Sequence, residues 1–236
     1  MDRSTEVRTL VFRTGLTFLG LAVLSVITLI EPSLSPFWFF QFWTIQGSLL
    51  EAIWSAWPLY LFMIGLNAWS LFRKYDGYKD TLRDIFQMGF AVSAWAGFVE
   101  EVFFRWLCFF GAMILMPLIN WFLWYLTGVE IIRNFYVGVV LPLANFFTLH
   151  YLQDVLMDGY GWIVGAAIIT ANGQFRNGHA YQGLFGFTLS WFFGMYMFWI
   201  MFHFGLPAAI LIHFLTDLCV FMTVWVDAFF EKRNGG

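Results

Sequence analysis

Six apolar runs, at about 10–30, 49–72, 85–112, 136–157, 183–204 and 206–230, constrain this chain more than any other feature. Each is close to the ~20 residues that cross a bilayer as a helix, a form that satisfies every backbone polar group internally. The expected fold is therefore all-α: a polytopic transmembrane helical bundle with six firm spans. "PLINWFLWYLTG" and "WIVGAAIITA", shorter apolar pieces, would raise the count to eight if they cross, or form re-entrant or tilted helices. "FWFFQFW" (37–43) reads as an interfacial aromatic belt or half-helix, and Pro58 as a kink in the second span.

Composition agrees, with 61% hydrophobic and only 11% charged residues, against about 25% charged in a soluble domain. No long hydrophilic stretch is left for a second module, so residues 1–236 read as a single integral membrane domain. The first run is longer than a signal-peptide core and lacks a small-x-small cleavage pattern after it, so it reads as a retained span. A net charge of −3 without a basic run gives no reason to expect nucleic acid. Cys108 and Cys219 lie inside apolar runs without a CxxC or Cys/His cluster, and read as packing residues. Arg3, Arg8 and Arg13 precede the first span, and Arg73, Lys74, Lys79 and Arg83 follow the second. With Lys232 and Arg233 at the tail, the positive-inside rule places both termini on the cytoplasmic side.

Ionisable side chains within such runs mark function, because each costs at least about 2.5–3.5 kcal/mol to insert. "EEVFFR" places Glu101 and Arg105 four apart on one helix face, where they pair and largely neutralise one another, and leaves Glu100 over. "FFTLH" places Phe146 and His150 four apart, and "HFLTD" does the same for His213 and Asp217. His203 reads as interfacial and His179 as solvated in a loop. A spare carboxylate and histidines from two other helices make a device for activating water: Glu100 as general base, His150 holding the water, and His213 with Asp217 facing the developing oxyanion. No HExxH or GxSxG occurs.

In that order the three elements, EExxxR, FxxxH and HxxxD, resemble the CPBP family of intramembrane proteases, which includes CAAX-prenyl endopeptidases and bacteriocin-processing or immunity proteins. The resemblance covers about 97–220, within a motif-bearing core of about 85–230. It implies an intramembrane endopeptidase of prokaryotic type in the cell membrane, with a cytoplasm-facing cavity and a membrane-associated, in some members prenylated, protein or peptide substrate. Catalytic roles would fall to Glu100, His150, His213 and Asp217, and the resemblance would make Glu101 and Arg105 structural support of the site. The family has been described both as glutamate-based and as metal-dependent, which leaves zinc open as a cofactor. Trp106 stands where the family often has glycine, Asp217 where some members have Asn. The stretch 153–182 is long for the family and is expected to form a lid or substrate-contacting loop. Two other readings are open to the same residues: a non-catalytic immunity or scaffold protein, and a proton-coupled transporter.

Overall fold

A computed structural model describes residues 3–30, 42–71, 80–157 and 161–234, and among them all regular structure is helical. Residues 37–41 of the aromatic segment and the basic residues Arg73, Lys74 and Lys79 lie outside the described residues. Helix α1 (Arg3–Ile30) is followed by α2 (Leu49–Ser55) and α3 (Trp57–Leu71). Next come α4 (Leu82–Glu100), a π-helical stretch (Glu101–Cys108) and α5 (Phe109–Thr127). Short pieces follow: α6 (Ile131–Phe135), a π turn (Tyr136–Val140), α7 (Leu141–Phe147) and α8 (Gln153–Leu156). Helix α9 (Trp162–Gly178), a 3-10 turn (Ala180–Gln182), α10 (Gly183–Phe204) and α11 (Leu206–Asn234) complete the chain.

Among the described residues three helices are long and apolar enough to span a bilayer, at Leu82–Thr127, Gly183–Phe204 and Leu206–Arg233, and they mark this as a membrane protein. The six firm spans expected from the apolar runs are not supported, for reasons visible in the chain. The second run bends by 44° where α2 meets α3, next to Pro58, and gives at most a fourth, broken span. Among the residues whose side chains are described, α1 contributes the apolar stretch Val11–Ile27 and the fourth run Ile131–Phe147, each shorter than a full span. "PLINWFLWYLTG" is no separate piece: it continues α5 through Pro117 to a left-handed cap at Gly128 (φ 73°). Leu82–Thr127 is thus one 46-residue helix, about 69 Å long at ~1.5 Å per residue and over twice the ~30 Å hydrocarbon thickness. The 153–182 stretch is not a lid. Its larger part is α9, whose Val164–Ile168, Ala171, Asn172 and Phe175 are all buried.

Helices α4 and α11 run antiparallel along most of their length. A capping box between Thr81 and Asp84 fixes the start of α4, and Trp225 Nε1 donates to the Leu82 carbonyl at 3.0 Å. Further along, Gly89 faces Phe221 and Gly97 faces Ile210 and Phe214. A Cβ on Gly97 would lie 2.9 Å from both the Ile210 carbonyl oxygen and the Phe214 nitrogen, backbone atoms that cannot turn aside. Gly97→Ala is accordingly expected to cost ~1–3 kcal/mol. Gly111→Ala, also inside the long helix but with open space around it, should instead gain ~0.5–1 kcal/mol. Unfolding in detergent measures both; a neutral Gly97→Ala would show that the two backbones do not approach this closely.

Between α10 and α11 the chain turns at Gly205 (φ +90°), where any Cβ would collide with the Thr44 carbonyl. Segment 42–47 braces this elbow: Leu206 N donates to Phe42 O at 2.6 Å and Gln46 N to Phe204 O at 3.1 Å. The brace holds the start of α11, and so the height of His213 two turns later. Trp106, fully buried, meets Trp43 edge-to-face at 5.3 Å. Cys108 and Cys219 are free thiols.

Candidate functional site

The expected i,i+4 pair forms at the start of the π-helical stretch, the kind of segment that recurs at functional sites. Arg105 NH1 lies 3.3 Å from Glu101 Oε1, and both side chains are 0% exposed. The guanidinium rests on aromatic faces, with Cζ 4.1 Å from the Phe175 ring centre and 5.8 Å from that of Phe198. Glu101 Oε2 and all three Arg105 nitrogens have no hydrogen-bond partner among the described residues. Buried polar atoms of this kind are where native proteins hold internal water.

Glu101 also serves α11. Its Oε1 takes the Nδ1–H of His213 at 2.6 Å. His213 Nε2 stands 3.6 Å from Asp217 Oδ2, the second expected i,i+4 pair, a separation beyond a direct hydrogen bond. The imidazole is therefore oriented from its Nδ1 side, and Nε2 is left to act. Phe193 closes the ring's flank edge-on at 4.9 Å.

Glu100, the spare carboxylate, faces α9. His179 Nε2 lies 3.9 Å from Glu100 Oε2. The Nδ1–H of His179 is donated to the Phe175 carbonyl at 2.8 Å, which leaves Nε2 as an acceptor in the neutral ring. Two acceptors cannot bond each other, and the spacing exceeds a direct hydrogen bond. Such a pair of acceptors matches a molecule with two protons to give, such as water. Asp217 lies within electrostatic range of Glu100, Glu101, His179 and His213, so the ionisable groups of α4, α9 and α11 share one neighbourhood. Side-chain exposure rises across it from 0% at Glu101 and Arg105 to 12% at Glu100, 17% at His179 and 27% at Asp217. The site is sealed on the arginine side and open past Asp217.

His150 is not in this group. Helix α7 stops at Phe147, Thr148 bonds back to the Ala144 and Asn145 carbonyls, and Leu149 and His150 take positive φ (52° and 64°). The helical register that would have put Phe146 and His150 on one face is lost. His150 is exposed, and its Nδ1 lies 2.9 Å from Asn145 Nδ2; among the described residues no hydrogen bond or ion pair joins it to Glu100 or His213. This turn instead walls a separate apolar cavity of about 500 Å³, with Phe147, Leu149, Tyr196 and Trp199. His179, expected to be solvated, is the histidine beside Glu100. The signal for it was in the chain: "FRNGH" repeats the FxxxH spacing of "FFTLH". Phe175 shows the use of that spacing, since its ring contacts Arg105, His179 (4.5 Å) and His213 (6.4 Å) at once. His203 is exposed at the end of α10, as expected, with Nδ1 on the Trp199 carbonyl.

Zinc needs three or four ligands at about 2.0–2.3 Å. The described residues bring no group of three or more His, Cys, Asp or Glu side chains together for one. Comparison with protein-family models, curated proteins and solved structures returned no match to this chain.

Proposed function

We propose that this protein is an intramembrane endopeptidase of the CPBP type, which hydrolyses a peptide bond of a membrane-associated substrate with a water activated by Glu100 and His179. The observation that carries the reading is the 3.9 Å pair of acceptors, Glu100 Oε2 and His179 Nε2. Water held between them gives one proton to Glu100 as its oxygen attacks the scissile carbonyl carbon. The charge that moves to the carbonyl oxygen is met by a protonated Nε2 of His213, oriented from behind by Glu101. As the C–N bond breaks, Glu100 returns its proton to the leaving nitrogen, and the new carboxylic acid loses its own to solvent. Asp217 sets a negative charge 3.6 Å from His213 Nε2. His150 takes no part, and His179 fills the second-histidine role instead. On this reading both termini face the cytoplasm of a prokaryotic-type membrane, which the positive-inside rule supports through the basic N-terminal segment and Lys232–Arg233.

The test is cleavage of a panel of acylated, membrane-anchored fluorogenic peptides in nanodiscs. His179→Ala should lower kcat by ~10²-fold or more, and His150→Ala should leave it within a few-fold. Cleavage of no peptide by the unaltered protein, or loss with His150→Ala and retention with His179→Ala, would overturn the reading.

A further inference from the structure

Among the described residues, the rim of the site carries a cation without an anion. Helix α1 is held against the long helix by Trp95 Nε1 donating to Thr14 Oγ1 at 3.2 Å and by Gly20, which gives room to Leu107. Arg13, one residue before the first of those contacts, projects half-buried toward the turn that precedes His179. Its Cζ lies 5.2 Å from the Phe104 ring centre, and a Cβ on Gly178 would come within 2.7 Å of its NH2. The guanidinium thus sits against the residue next to His179. Phe104 packs on Phe175 at 5.4 Å, so Arg13 and Arg105 flank one aromatic stack. Arg105 has Glu101. Arg13 has no hydrogen bond from its side chain and no ion pair among the described residues.

We propose that Arg13 is a specificity-determining residue that receives a carboxylate of the substrate, and this rests on the peptidase reading above. A guanidinium held by an aromatic face and shielded from water on one side offers a rigid fork of donors, which matches a carboxylate two bonds at a time. Its place beside His179 fixes where that carboxylate belongs: within about two residues of the scissile bond, some ~7 Å of extended chain. The substrate class is therefore a membrane-associated segment with an acidic side chain or a chain terminus next to the cleavage point. Neutral segments would bind less tightly.

The experiment uses the full chain with Glu100→Gln, which binds without cutting, in nanodiscs of neutral phosphatidylcholine. Hexadecanoyl hexapeptide amides with one Glu scanned along the sequence are titrated against the same peptides with Gln. At one or two adjacent positions Glu should bind about tenfold tighter than Gln. Adding Arg13→Gln should bring the two to parity, and Arg13→Lys should keep part of the preference; unfolding midpoints confirm that each variant is folded. Parity at every position in the Arg13 protein, at whatever affinity, overturns the proposal. So does a preference that appears only as loss of phosphatidylglycerol retention in Arg13→Gln, which would assign the arginine to a lipid phosphate. A Glu preference that depends on Arg13, in a protein whose Glu100 form cuts none of the peptides, would uphold the carboxylate site and reject the peptidase.

Discussion

Glu101→Gln is expected to lower the free energy of unfolding by ~3–5 kcal/mol, the cost of leaving a buried charge without its counter-ion. The residue stranded is Arg105, which is fully buried, lies 3.3 Å from Glu101 and rests on the rings of Phe175 and Phe198. Cation–π contact with Phe175 offsets about 2 kcal/mol or less. The same carboxylate oxygen holds His213 at 2.6 Å, so the substitution also frees the imidazole. Arg105→Met leaves Glu101 buried but still bonded to His213, and should cost less. Because the two side chains act on each other, Glu101→Gln with Arg105→Met should cost clearly less than the two single changes added. Denaturant unfolding of the four proteins in detergent gives the comparison. Strict additivity would mean that the buried pair does not couple α4 to the site.

Local geometry explains which parts of this arrangement were legible in the sequence. Glu101 with Arg105 and His213 with Asp217 lie four apart on helices that stay helical, so their pairing follows from helix pitch alone. The partner of Glu100 comes from another helix and had to be chosen between two FxxxH patterns that spacing cannot rank. Backbone decided it. The chain from Phe147 to His150 turns out of helix through back-bonding by Thr148 and two positive-φ residues, whereas His179 caps α9 with negative φ and its Nδ1–H reaches the Phe175 carbonyl. Apolar runs misled the span count for a related reason. Hydropathy records the lipid preference of each side chain, and not where the backbone bends. The run containing Pro58 breaks next to it, yet the run containing Pro117 continues straight through.

Glu100→Gln should reduce peptide cleavage by ~10²–10⁴-fold, the usual share of a positioned general base. It should cost less stability than Glu101→Gln, because it strands no fully buried counter-ion. Glutamine keeps the shape and still accepts a hydrogen bond from water, but it cannot take the proton as the water oxygen attacks. Glu100 also has little structural work to lose: its one ion pair among the described residues is the 3.9 Å approach of His179, and its side chain is 12% exposed. That contrast with Glu101 is the sharpest feature of the doublet, since adjacent glutamates differ in burial, in partner and in the kind of damage expected. Residues that act on one water act as a unit and are grossly non-additive. Glu100→Gln combined with His179→Ala should therefore be little worse than Glu100→Gln alone, whereas adding His213→Gln, which removes the oxyanion partner, should cost about another 10²–10³-fold. Single-turnover rates in nanodiscs separate these outcomes from binding. If the losses for Glu100→Gln and His179→Ala multiply, the two side chains do not share a water, and the 3.9 Å pair has another use.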